Sequence, residues 1–290
     1  MLRVGRIPYI NCYPVYGAID AGIVPLEADL VTGVPSSLNA MMARGQLDVS
    51  VVSAIEYARA SQRYVLLPDL AISCDGPVRS VLLLSKVPAP ELGTRRVMLS
   101  RSSMTSVALL DLLFDNIWHA RPAFVPGDAE LTDVARFADE PHDARLVIGD
   151  AALVLGTRHP GSGTPLYSFV YDLGAEWKRW TGLPFVFAVW VAQRSTSVDR
   201  ALAVHATLMA SRAWGLQHLD RLAERAAETS GVDTGACREY LSGLDYGLSY
   251  PHLAGLTEFF RRLHAVGRVP DGELSFLGRN QQGGEKLEIG

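Results

Sequence analysis

Val87-Pro88-Ala89-Pro90 interrupts a succession of β-rich segments, and Arg194-Ser195-Thr196-Ser197 follows the last of them. Before the first break, Leu2–Arg6, Leu26–Thr32, Asp48–Val52, Val65–Ile72 and Ser80–Ser85 read as strands. Pro14–Ala21, Pro35–Arg44 and Ala54–Ala60 read as helices between them. After it come strands at Arg96–Leu99, Leu146–Ile148 and Phe185–Val191, with helices over Ser103–Trp118 and Ala151–Leu155. Strands alternating with helices predict an α/β protein whose parallel sheets are covered on both faces. A chain that leaves one sheet near 88, builds a second and returns near 190 makes two lobes. The expected division is 1–88 with 191–290 in one lobe and 89–190 inserted as the other. Past Ser195 the pattern turns helical, over Val198–Leu219, Leu222–Thr229, Ala236–Leu244 and His252–Val266. Leu202, Ala206, Met209 and Ala213 recur there at helical spacing; the tail from Gly267 is Gly- and charge-rich, and its last ten residues are expected to be loose.

A chain of 290 residues with 48% hydrophobic and 20% charged residues can bury a sizeable core without a staple. The formal net charge of −4 gives no general attraction to nucleic acid or to an acidic membrane, so neither is expected as a partner. No apolar run reaches the 18 residues of a membrane span. The first residues, Met1-Leu2-Arg3-Val4-Gly5-Arg6, show no secretory h-region, which predicts a cytoplasmic protein. Cys12, Cys74 and Cys237 are scattered without a CxxC, which excludes a disulfide framework and a zinc ribbon on spacing. There is no GxGxxG after a strand, no Walker A loop and no GxSxG elbow. No metal or cofactor is expected.

In open parallel sheets a ligand sits beyond the carboxyl ends of the strands. The loops of interest are therefore 7–13, 33–37, 52–56, 73–80, 100–106 and 149–151. The seven His (119, 142, 159, 205, 218, 252 and 264) avoid all of them, so a Ser–His or metal mechanism has little support. Ile7-Pro8-Tyr9-Ile10-Asn11-Cys12-Tyr13-Pro14 offers two rings and an amide; Asn11 either caps the turn or points into the cleft, where it can both donate and accept. Thr32-Gly33-Val34-Pro35-Ser36-Ser37, Arg101-Ser102-Ser103-Met104-Thr105-Ser106 and Gly149-Asp150-Ala151 each start a helix. Free N–H groups there cap the helix or attract an anion, each terminus contributing ~0.3–1 kcal/mol. In Ser73-Cys74-Asp75-Gly76-Pro77-Val78-Arg79-Ser80, Arg79 is either a carboxylate fork or an exposed edge residue. Ser53 and Glu56 open a helix, and Glu56 is either a general base or a solvated carboxylate. Tyr9, Ser53, Arg79, Ser80, Ser102, Ser103, Thr105, Ser106 and Asp150 are the candidate binding residues, and Asn11 and Glu56 the catalytic ones.

The run Arg6–Pro14 resembles the opening segment of a known family. Cys74-Asp75-Gly76-Pro77-Val78-Arg79-Ser80, Ser102–Ser106 and Ile148-Gly149-Asp150-Ala151-Ala152-Leu153 follow in matching order and spacing. Tyr171-Asp172-Leu173-Gly174-Ala175-Glu176-Trp177-Lys178 and Trp180-Thr181-Gly182-Leu183-Pro184-Phe185-Val186-Phe187-Ala188-Val189-Trp190 complete the likeness. The family is chorismate dehydratase, the first enzyme of the futalosine route to menaquinone, and the likeness covers roughly residues 3–195. It implies a two-lobed type II periplasmic-binding-protein-like fold used as an enzyme, with chorismate losing water to give 3-[(1-carboxyvinyl)oxy]benzoate. It carries over Asn11 as an active-site residue and Ser80, Ser102, Thr105 and Ser106 as cleft residues. The sister 1,4-dihydroxy-6-naphthoate synthase, expected to use a catalytic His, fits less well.

Chorismate brings two carboxylates, and aromatisation drives the dehydration. The protein need mainly position the ring, exclude water and stabilise charge. The expected base is the substrate's own enolpyruvyl carboxylate, with Asn11 orienting it or the departing hydroxyl and Glu56 as the rival. A solute-binding protein for an aromatic or dicarboxylic anion shares the expected fold, and a ligand-sensing regulator is a third class, but no basic DNA-binding module is present. The oligomeric state is left open, a homodimer included.

Overall fold

The computed structural model describes residues 1–100, 103–127, 141–157 and 167–278. Ser102, His159 and the tail from 279 lie outside the described residues.

Two five-stranded sheets organise the chain. The first comprises β1 (Leu2–Arg6), β2 (Ala28–Thr32), β3 (Val49–Ser53), β4 (Tyr64–Cys74) and β10 (Phe185–Gln193), in the order β2-β1-β3-β10-β4. The second comprises β5 (Val81–Ser85), β6 (Arg96–Ser100), β7 (Ala123–Gly127), β8 (Ala144–Ile148) and β9 (Phe169–Asp172), in the order β7-β6-β8-β5-β9. Every residue of β3, β5 and β8 is buried, which is why none of them alternates strictly between apolar and polar: β5 is apolar through Val81–Leu84, β3 carries buried Ser50 and Ser53, and β8 carries buried Arg145. The short strands β7 and β9 escape the sequence reading: β7 is mostly exposed and carries Pro126, and β9 has four residues.

The sheets are mixed rather than parallel. β1 pairs parallel with β2 and β3, but β10 runs antiparallel to β3 and β4. β6 pairs parallel with β7 and β8, but β5 runs antiparallel to β8 and β9. The reason is geometric. β5 and β10 are the strands by which the chain enters a sheet from the other one. They start beside the cleft, where the parallel strands end, and so they run back against them.

This also moves the crossings. The strand Val81–Ser85, expected before the break at Pro88, already belongs to the second sheet, so the outward crossing is at 75–80. The return falls at 182–184, ahead of β10. The Pro-rich stretch instead forms a short 3₁₀ turn, Ala89–Leu92, between β5 and β6.

Helices α1 (Tyr13–Asp20), α2 (Pro35–Ala43) and α3 (Ala54–Arg59) follow strands of the first sheet. α4 (Met104–Leu113), α5 (Gly149–Thr157) and α6 (Leu173–Thr181) follow strands of the second. The helix expected over Ser103–Trp118 splits into α4 and a π-helical turn, Phe114–Trp118, ended by His119 in the left-handed region at φ 49°. The C-terminal helices are α7 (Val198–Gln217), α8 (Leu219–Ser230), α9 (Thr234–Ser242) and α10 (Tyr250–Ala265). α7 buries Ala201, Val204, Leu208, Ser211 and Gly215, a stripe rotated from the Leu202–Ala213 one, because Gly215 must sit against the carbonyl of Pro14 in α1. After Gly267 the chain pairs with β4: Leu66 donates its N–H to the Ser275 carbonyl and accepts from the Leu277 N–H, while the last ten residues, expected to be loose, lie outside the described residues. Among the described residues no helix is long and apolar enough to cross a membrane.

Two buried indoles tie the layers together. The Trp190 Nε1–H donates to the Tyr16 hydroxyl at 3.0 Å, which donates to the Gly5 carbonyl at 3.1 Å, joining β10, α1 and β1. The Trp177 Nε1–H donates to the Pro184 carbonyl at 3.1 Å, fixing the return crossing on α6. Gly174, also in α6, lies so close to the outward crossing that a Cβ there would meet the Gly76 carbonyl oxygen at 2.5 Å and Cys74 Sγ at 2.6 Å. Gly174→Ala therefore overpacks the crossing and is expected to cost about 1–3 kcal/mol. A thermal melt checks this: Tm falls by several degrees, and an unchanged Tm would show that the crossing yields.

Candidate active site

The space between the sheets is a cleft whose empty volume, its open mouth included, is about 600 Å³. Each of the six strand-end loops supplies a wall. Tyr9, Asn11 and Cys12 come from the first loop, Pro35 from the second and Ser53 from the third. Val78 and Ser80 come from the outward crossing, Ser103 and Ser106 from the start of α4, and Gly149 from the start of α5. Among the described residues no Lys, Arg, His, Asp or Glu lines it. The polar wall is made of hydroxyls, one amide and the starts of helices.

Asn11 sits in a 3₁₀ turn, Ile10–Cys12, closed by the Cys12 N–H donating to the Tyr9 carbonyl at 3.0 Å. Its Oδ1 is buried with no hydrogen-bond partner among the described residues. A buried acceptor left unmatched is costly, so this oxygen is open to an O–H or N–H donor. Cys12 is a buried thiol; burial, with Asp150 adding to it, pushes its ionisation far up, so it lines the site as a neutral group. Ser103 caps α4: its Oγ accepts the Ser106 N–H at 3.2 Å and donates to Ser106 Oγ at 2.7 Å.

Asn39 escapes the sequence reading because it lies mid-helix in α2, where Asn has no motif. It is 3% exposed and clasps Ser53 twice: Nδ2 donates to Ser53 Oγ at 2.8 Å, and Oδ1 accepts the Ser53 N–H at 3.1 Å. That fixes Ser53 at the head of α3 and leaves its own O–H proton to be offered to the cleft. Phe187 and Ala188 of β10 also line the cleft. They escape because an entering antiparallel strand reads like any buried one.

A family model described as "Menaquinone biosynthesis" matches residues 2–265. The chain belongs to this menaquinone-biosynthesis family. It is 32% identical over 272 residues to the chorismate dehydratase of Thermus thermophilus, covering 88% of this chain and 95% of that protein. The crystal structure of protein AF1704 from Archaeoglobus fulgidus superposes with a TM-score of 0.77 at 20% identity, covering 92% of this chain and 98% of that one. The alkanesulfonate-binding protein SsuA from Xanthomonas axonopodis pv. citri, bound to MOPS, gives 0.64 at 15% identity, covering 94% and 95%. At such identities the likeness shows the fold alone, which is the two-lobed periplasmic-binding-protein fold.

In this menaquinone-biosynthesis protein several expected site residues are engaged outside the cleft wall. Thr105 is 1% exposed, and its Oγ1 accepts the Ile55 N–H at 3.2 Å, stitching α4 to α3 across the lobes. Asp150 does the same from α5, its Oδ1 accepting the Ile10 N–H at 3.0 Å. Arg79 adopts a left-handed backbone, φ 61°, which turns its guanidinium outward to Glu239 on α9. The pair is partly exposed, and Arg79 is not among the described residues that line the cleft. Ser102 lies outside the described residues. Among the described residues no cluster of three or more His, Cys, Asp and Glu could hold a metal ion.

Glu56 is also absent from the wall. It is 8% exposed and accepts a hydrogen bond from the Tyr64 hydroxyl at 3.2 Å. Burial raises its carboxyl, with the Tyr64 bond and the charges of Arg59 and Arg63 opposing. A raised carboxyl holds its proton more firmly folded than unfolded. The stabilisation is complete below the unfolded value of about 4.3 and is lost as pH rises through the folded value. Glu56→Gln removes that burden while keeping an acceptor for Tyr64. Its Tm relative to the parent is therefore expected to be higher at pH 7.5 than at pH 4, as melts at both values would show. An equal difference at both would contradict the assignment.

Proposed function

We infer that the protein is a chorismate dehydratase, an enzyme that removes water from chorismate to give 3-[(1-carboxyvinyl)oxy]benzoate in menaquinone biosynthesis by the futalosine route. The carrying observation is membership of the family over residues 2–265, with a dehydratase relative of nearly matching length. The cleft agrees with it. It is lined mostly by apolar side chains from both lobes, with the Asn11 amide and the hydroxyls of Ser53, Ser80, Ser103 and Ser106 among them, as suits a small ring carrying polar groups.

The reaction needs a proton taken from C3 and a hydroxyl lost from C4. The C–H electrons form the new ring double bond, the C4–O bond breaks, and the departing oxygen leaves as water. No ionisable side chain among the described lining residues can take that proton at neutral pH. We propose that the substrate's enolpyruvyl carboxylate takes it and hands it to the leaving hydroxyl. Asn11 supplies the geometry. Carboxylates cannot donate, so the only ligand group that satisfies the unpartnered Asn11 Oδ1 is the C4 hydroxyl. Its amide N–H groups then face a carboxylate. Ser53, Ser80, Ser103 and Ser106, with the helix starts around them, form the hydroxyl and N–H cradle for the ring and its charges. Tyr9 closes one side as an apolar wall. A biosynthetic enzyme acting on a charged metabolite fits the cytoplasm, and we assign it there as part of the same proposal.

Ultraviolet spectra of purified protein mixed with chorismate test the reading. Turnover replaces the cyclohexadiene absorbance with that of a benzoate. Saturable binding without any spectral conversion would instead make the protein a binder on the same fold. Within the enzyme, Asn11→Ala is expected to lower kcat about 10²-fold, the usual cost of one orienting polar group. Glu56→Gln is expected to retain it within a few-fold. The reverse pattern would move the chemistry to Glu56 and end the substrate-assisted account.

A further inference from the structure

Asp150 stands at the first turn of α5, in the second lobe, yet its Oδ1 accepts the backbone N–H of Ile10 in the first. Ile10 is fully buried and opens the 3₁₀ turn that holds Asn11. The residue before Asp150 makes a second contact to the same turn. Gly149 has φ 61°, and a Cβ there would stand 3.0 Å from the ring of Tyr9. So Tyr9 and Ile10, the two residues preceding Asn11, both rest on the start of α5. A second hydrogen bond anchors that start to the cleft wall: the Gly149 N–H donates to the Ser80 carbonyl at 2.8 Å.

A carboxylate aimed at a dianionic ligand would repel it, and none lines the cleft among the described residues. Asp150 spends an oxygen on a backbone donor instead. We propose that Asp150 is a positioning residue: by accepting the Ile10 N–H from the other lobe, it sets the Ile10–Asn11 peptide and with it the direction of the Asn11 amide. The catalytic part of this inference rests on the dehydratase reading. The structural part, that an acceptor oxygen at 150 orders the turn at Ile10, does not.

An acceptor role and a charge role differ in what asparagine does. Asp150→Asn keeps an oxygen of the same reach, whereas Asp150→Ala removes it. With chorismate as substrate, Asp150→Ala is expected to lower kcat about 10²-fold, as for a misplaced reacting group, with a smaller change in KM. Asp150→Asn is expected to stay within about five-fold of the parent, on the same reasoning. Amide hydrogen exchange at Ile10, read on the intact protein, accelerates in Asp150→Ala and stays protected in Asp150→Asn. If Asp150→Ala does not fold, Asp150→Ser, one atom too short to reach, takes its place in both measurements.

The proposal fails if Asp150→Asn is as slow as Asp150→Ala, since charge would then be what matters. It also fails if Asp150→Ala exchanges at Ile10 like the parent. Should the parent itself not convert chorismate, the exchange measurement alone decides the structural claim, and the failure belongs to the dehydratase reading.

Discussion

One carboxylate pins the place where the two lobes are joined. Asp172 ends β9 and caps α6, its Oδ1 accepting the Ala175 N–H at 3.0 Å. The same Oδ1 accepts the Val78 N–H at 3.0 Å, and Oδ2 accepts the Arg79 N–H at 2.6 Å. A group on the returning half of the chain thus fixes the outgoing crossing. It also accounts for the left-handed backbone of Arg79, a conformation that an L side chain adopts only when its surroundings impose it. Gly174 lets α6 approach closely enough for this. Ser80 and Val81 follow directly, at the cleft wall and the start of β5, so the placement of the site begins at this knot.

From there the lobes meet through unlike partners. Side chains at two helix starts of the second lobe, Thr105 and Asp150, accept backbone N–H groups of Ile55 and Ile10 in the first. Asn39 adds a contact from its Nδ2 to Met104 Sδ at 3.7 Å. These bonds lie around the cleft, and the described residues that line it are neutral. A neutral lining suits a reaction whose driving force is aromatisation, because the protein need hold two negative charges and one leaving hydroxyl rather than supply a strong base.

Much of this was legible in the residues. The strand–helix alternation located all six loops that reach the cleft, because strand ends and helix starts carry strong local signals in Gly33, Pro35, Ser103 and Gly149. The resemblance of Arg6–Pro14 and its companions to a known family added the chemistry. What stayed hidden was long-range. Strand direction in β5 and β10 depends on where the chain crosses, and no local pattern encodes that. Arg79, Thr105 and Asp150 have the composition of ligand-binding residues, but their partners, Glu239, Ile55 and Ile10, come from distant segments. Glu56 looked exposed at a helix start and is sealed by Tyr64. Asn39 shows how a plain mid-helix residue gains a role only through a fold-level neighbour, Ser53.

The central claim is that a doubly charged ring is gripped between the Asn11 turn of one lobe and the start of α4 in the other. A crystal structure of the protein grown with 3-[(1-carboxyvinyl)oxy]benzoate tests it most directly. The account predicts density for the benzoate between Asn11 and the Ser103–Ser106 pair, with its carboxylates on hydroxyls and N–H groups rather than on a lysine or arginine. A ligand bound outside that space, or held by a charged side chain such as Arg79, would contradict it.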